Sequence, residues 1–142
     1  MGADQEIFQR GILMAVTHVT AMRNTLADAV VDDLDGGTTD AQGDLVLLTA
    51  ADAEVATLPL GNPAAGAAAS GTATFNAVTS DTNATGNASP VTKFELRDRD
   101  NVAIVFGSVT ATGGGGDIEI TNTTIGAGQT VSVSSLSYTA AP

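Results

Sequence analysis

Cysteine is missing altogether, which removes disulfide scaffolds, thiolate metal sites and cysteine nucleophiles together. Tryptophan is missing too, and aromatics stop at four Phe and one Tyr, so the core must be built from Val, Ile, Leu and Ala, with Phe75, Phe94 and Phe106 as its bulkiest expected members. Thin packed layers suit that composition better than a wide ligand cavity, and few rings are left over for stacking on a sugar. Basic residues are scarce: five Lys and Arg stand against sixteen Asp and Glu, a formal charge of −11 that opposes approach to nucleic acid or an anionic membrane surface. Long apolar runs are absent as well. The stretch Ile12 to Val16 is too short to span a bilayer, and "MGADQEIFQRGILMAV" lacks the basic start and apolar stretch of a secretory signal. The expectation is a protein kept in a cytoplasm until assembly. Met1-Gly2 begins like a myristoylation site, but Glu6 stands where that motif needs Ser or Thr.

What is present is a wealth of Thr, Ser, Gly and Ala, the material of short strands and tight turns. At 142 residues the chain fits one domain with an appendage. Residues 1–19 show no sustained period and are broken by Gly11; they read as an N-terminal arm. Over 20–36 the period becomes helical, with Val19, Met22, Leu26, Val30 and Leu34 on one stripe. Thr17 or Thr20 is positioned to cap the start, and Gly36-Gly37 to end it. Asp28, Asp32, Asp33 and Asp35 gather at the end where carboxylates oppose the helix dipole, so packing rather than propensity must hold this helix.

Residues 44–142 read as the β domain. "LVLLTA" and "EVATLPL" are the first strands, with "TAADAEVA" open to a helical turn; "GNPAAGAAASG" is a surface connection. "TATFNAVT" alternates, and "SDTNATGNASP" is a loop. "VTKFELRD" and "VAIVFGSV" form the clearest hairpin. "DIEIT" follows with Ile118 and Ile120 facing inward, and "TVSVSSLSYT" closes the chain with a bulge expected near Ser134-Ser135. The fold class is therefore all-β: an antiparallel β-sandwich, or partly closed barrel, of about seven strands preceded by an arm and one amphipathic helix.

No catalytic constellation emerges. The glycines at 113–116 precede a strand and Asp117, not a helix N-terminus, so they read as a turn and not a phosphate cradle. Asp98, Asp100 and Asn101 form a weak calcium candidate, because Val102 breaks the alternate-oxygen spacing and Arg97 and Arg99 share the turn. His18 stands alone, without a nucleophile motif. The Asn-x-Thr/Ser triplets at 83, 87 and 122 read as loop residues. The chain is thus expected to be no enzyme and to need no cofactor.

Over about residues 21–139 the chain resembles a family of small proteins encoded among the structural genes of tailed bacteriophages and prophages. The likeness is carried by "AMRNTLADAVVDDLDGG", "ATLPL" followed by "NPA", "AVTSD", "FELRD" with its "GSV" return, and "NTTIGAGQTVSVSSL". It implies a virion structural protein with a compact β domain, most simply a capsid decoration or cement protein. Its partners would be the major capsid protein, copies of itself in a homo-oligomer, or both. Ile7, Phe8, Ile12, Leu13 and Met14 in the arm would be the apolar anchors. A tail or head-tail accessory protein, or a host- or carbohydrate-binding module on a tail appendage, are the alternatives.

Overall fold

A computed structural model of the protein describes residues 17–142. One helix, α1 (Thr20–Leu34), precedes seven strands: β1 (Asp44–Thr49), β2 (Glu54–Pro59), β3 (Thr72–Thr74), β4 (Val91–Arg97), β5 (Ala103–Ala111), β6 (Ile118–Ile120) and β7 (Ser137–Thr139). Five of them make a curled sheet in the order β2-β1-β4-β5-β6, and β3 pairs with β7 in a second sheet of two. Among the described residues, the mostly-β class, the single helix and the count of seven strands agree with the sequence reading. The purely antiparallel arrangement does not, because β6 runs parallel to β5.

The core follows from strand alternation. Leu45 and Leu47 of β1 lie opposite Leu58 and Ala56 of β2 on one side and Leu96 and Phe94 of β4 on the other, so these residues share the inner face. They join Ala73 of β3, Val109 of β5 and Ala27, Val31 and Leu34 of α1 in one buried cluster. Each fully buried Leu contributes about 1.5–3 kcal/mol relative to exposure, which is how a domain with few aromatics can hold together.

The same alternation overturns one expectation. Phe106 pairs with Glu95 on the outer face of the sheet and is 80% exposed, whereas Val105 faces inward opposite Leu96. An apolar run on both faces of a strand does not say which side faces the core, and the register decides. Gly107 explains the inner side of the same strand: a Cβ there would come within 2.6 Å of the Phe94 ring, so the ring fills the space that a side chain would take.

The turns are built by side chains. Thr49, buried, accepts from the Ala53 N–H through its hydroxyl and closes the β1–β2 hairpin with Asp52 in the left-handed region; "TAADAEVA" makes no helix. In the β4–β5 hairpin Asp98 accepts from the N–H groups of Asp100 and Val102, and Asn101 takes a left-handed φ of 63°. The free edge of β2 is covered by the loop that follows β3, through Thr79 N–H to the Pro59 carbonyl, Thr57 N–H to the Asp81 carboxylate and Gly86 N–H to the Val55 carbonyl. Covering an edge in this way blocks pairing with stray strands.

The link between β5 and β6 is unusual. Parallel neighbours ordinarily need a crossover of a dozen or more residues, but here residues 112–117 suffice. The four glycines allow it. Gly113 and Gly115 adopt φ of +85° and +76°, and a Cβ on Gly114 or Gly116 would press on Thr110 at 2.7 and 2.9 Å. The closing segment also departs from expectation: Val131 makes only an isolated bridge with Asp81, and regular pairing resumes at β7, so two separate pieces replace one bulged strand.

Candidate interaction surface

Helix α1 begins without the expected cap. Val19 occupies the N-cap position and no side chain bonds the first N–H groups. Its buried face matches the stripe that the sequence suggests only toward the end of the helix, where Leu34 is buried and Val30 packs against the core. Ala27, Val31 and Leu34 are buried, whereas Val19 is 73%, Met22 47% and Leu26 40% exposed. The helix therefore carries two apolar stripes, one in the core and one facing out. The inner face is selected by polar hooks that periodicity does not reveal. Asn24, Asp28 and Asp35 accept from the N–H groups of Gly71, Ala68 and Ala64 at 2.7, 2.7 and 2.8 Å, and Arg23 donates to the Ala140 carbonyl. The small-residue loop after β2 has few side chains of its own for pairing, so the helix supplies the acceptors its backbone needs.

The loop that follows α1 meets the acidic β4–β5 turn. Asp100 accepts from Thr38 N–H, Thr39 N–H and the Thr39 hydroxyl, while Arg99 donates its N–H to the Gly36 carbonyl and exchanges bonds with Asp40, accepting the Asp40 N–H and donating Nε–H to the Asp40 carbonyl. These contacts hold the Asp100 carboxyl below the usual carboxylate range, with the Thr38 N–H as the leading cause. Of the calcium candidates, Asp98 and Asp100 thus bind backbone, and Asn101 accepts from Arg97. The three oxygens point to different partners, and among the described residues no three His, Cys, Asp or Glu side chains gather into a metal-binding group. His18 is exposed, with Nδ1 3.2 Å from the Pro142 carbonyl oxygen.

The tetraglycine does hold an anion, and it belongs to the chain itself. Glu119 accepts from Gly113 N–H at 3.1 Å and Gly115 N–H at 2.9 Å, and these two bonds, Gly113 first, hold its carboxyl below the usual range. Asp117 is lowered in the same way by the N–H and hydroxyl of Ser108. Both acids line an open trough of about 760 Å³ between β6 and the closing segment, with Ile118, Ile120, Val131 and Leu136 below and Ser and Thr hydroxyls around the rim. Ile118 and Ile120 are half-buried against the core, as expected of that strand.

On the outer face of the sheet, Leu48 and Phe106 line a smaller hollow of about 410 Å³, beside the Lys93–Asp52 ion pair. Next to it Arg97 lies between Glu54 and Glu95, and its guanidinium stays charged beyond its ordinary range through those two carboxylates, against the cost of burial. Asp44, opposite Arg97 across the β1–β4 pair, is raised by burial first and then by Asp40. No described helix is long and apolar enough to cross a membrane.

The five arm anchors Ile7, Phe8, Ile12, Leu13 and Met14 lie outside the described residues. Sequence reasoning placed Val19, Met22 and Leu26 in the core. Their exposure is the feature it missed, and the signal available was the acid-free sequence around them, since no Asp or Glu stands between Glu6 and Asp28. A scan against models of protein families, a search of curated proteins and a search of solved structures each find no match to this chain.

Proposed function

We propose that this chain is a non-enzymatic structural protein of a tailed-phage virion, a capsid decoration or cement protein that docks on the outer surface of the head through the start of α1 and the residues before it. One observation carries the reading. Along α1, about 22 Å long at 1.5 Å per residue, the N-terminal half presents Val19, Met22 and Leu26 to solvent without an acid nearby in sequence. The other end gathers Asp32, Asp33 and Asp35 beside Asp40 and the Asp98–Asp100 turn. A chain of charge −11 with an apolar, acid-free end can seat that end on a lattice and keep its acids outward.

The resemblance over residues 21–139 supports the class, and the two sheets read as a β-sandwich whose β2 edge is closed by a loop. The major capsid protein is the partner, and weak contacts repeated over a shell add up through effective concentration. The hydroxyl-rimmed trough at β6 has no aromatic lining, which favours a structural part over a glycan reader. Removing residues 1–18 is expected to strip the protein from purified heads while the β domain still folds. Undiminished occupancy of the heads by the truncated chain would overturn the docking reading.

A further inference from the structure

We propose that the trough beside β6 receives an extended strand from a protein partner, one that alternates apolar with basic side chains. This surface is separate from α1. The large sheet ends at β6, whose one strand neighbour among the described residues is β5. Thr112 donates its N–H to the Ile120 carbonyl, so the main-chain groups of Ile120 point to β5. Successive residues of a strand turn their groups to opposite sides, which leaves the N–H and carbonyl of Glu119 directed into the trough.

The far wall is equally unpaired. The closing segment bridges to Asp81 at Val131 and next accepts the Phe75 N–H at the Leu136 carbonyl; residues 132–135 between them belong to no strand. Among the described residues no backbone hydrogen bond crosses from β6 to this segment. The other end of the same sheet is treated differently, because there the β2 edge is bonded by Thr79 and Gly86 of the chain's own loop. An edge left open inside a trough of about 760 Å³ is a template for one more strand.

The walls set the side chains of the occupant. Ile118, Ile120, Val131, Val133 and Leu136 are half-buried on the core side, so the inward residues of an added strand are apolar. Asp117 and Glu119 stand on the other side, and no Lys, Arg or His lines the trough. Glu119 is drawn aside onto the Gly113 and Gly115 N–H groups, which keeps its charge at the rim and its own main chain clear. Outward positions that face two carboxylates suit Lys or Arg. The same carboxylates oppose an acidic strand, and they oppose a second copy of this chain with its charge of −11. Only three residues make up β6, so main-chain bonds alone bind weakly, and charge and apolar contact carry the selection.

Fluorescence anisotropy of a labelled synthetic peptide of alternating Lys and Val, titrated with the full-length chain, tests the pairing, and amide exchange at Glu119 reads it at the edge itself. Saturable binding is expected, at least about tenfold weaker for the same peptide N-methylated at every residue, which keeps the charge and loses the main-chain donors. A peptide of alternating Glu and Val is expected not to bind, and the Glu119 amide is expected to exchange more slowly once the Lys and Val peptide is present. Ser134→Lys, at an exposed position in the trough, is expected to weaken binding at least about tenfold with an unchanged melting temperature, whereas Ala67→Lys, exposed in the loop after β2, is expected to bind as the parent does. No binding at millimolar peptide, equal binding of the N-methylated or the acidic peptide, equal effects of the two Lys variants, or an unaltered Glu119 amide would each overturn the strand site. So would a Glu119 amide already protected before peptide is added, because residues of this chain or of a second copy would then fill the edge.

Discussion

At the scale of single residues, the structure turns on small groups that make room for larger ones. Gly107 faces the Phe94 ring on the inner side of β5, with the Asp117 carboxylate 2.8 Å from where a Cβ would stand. Its φ is ordinary, so the constraint is packing and not backbone. Gly107→Val is expected to lower stability by about 1–3 kcal/mol in chemical denaturation, through displacement of Phe94; an unchanged midpoint would show that the ring has somewhere else to go. The carboxylates give a pH dependence with a definite sign. Asp100, Asp117 and Glu119 have folded values below their ordinary ones, so their contribution is fully present above the ordinary carboxylate range and is lost as pH falls through the lowered values. Asp44 is shifted up and acts in the opposite direction, favouring the fold below its ordinary value and losing that contribution as pH rises through its raised one. Three against one, the melting temperature is expected to fall on acidification from about pH 5 to about pH 3. Glu119→Gln should flatten that fall, because its amide gains no proton over the window; an equally steep fall in the variant would remove the Gly113 and Gly115 N–H contacts from the explanation.

At the scale of elements, α1 is held by what its polar side chains do. Asp28 looks like a poor choice near a helix C-terminus, yet it accepts the Ala68 N–H in the loop after β2, while Asn24 and Asp35 take Gly71 and Ala64. Removing one acceptor leaves a half-buried donor unpaired, so Asp28→Ala is expected to cost about 1–3 kcal/mol, and the Ala68 amide should exchange with solvent faster than those of β1. Unaltered exchange at Ala68 would contradict the hook. The strands show where sequence reasoning succeeds and fails. β1, β2 and the β4–β5 hairpin were legible because alternation and turn residues agree there, as in Lys93, Glu95 and Arg97 against Phe94 and Leu96. The helix was legible as a helix but not in its orientation, because two stripes compete and the deciding contacts come from a loop 29 to 47 residues away in the chain. The parallel turn of β6 was illegible for a different reason: four glycines permit many paths, and the one taken is set by Thr110 and Glu119. Val19, Met22 and Leu26 were visible as apolar positions, but their exposure was not.

At the scale of the whole molecule, the two ends of α1 define a polarity. One end presents apolar side chains in acid-free sequence, and the other gathers carboxylates, bound by backbone N–H groups, around the 36–40 and 98–101 turns. The proposed decoration role needs that division: a face that adheres, an opposite face that stays solvated, and a rigid body between them. Here the rigid body is a single core shared by both sheets and the helix. The measurement that bears most directly on this account is electron cryomicroscopy of particles assembled with and without this chain. The account predicts added density repeated over the outer surface of the head, with the α1 end against the capsid lattice and the acidic turns away from it. Density confined to the tail, or particles from which the chain is absent, would contradict it.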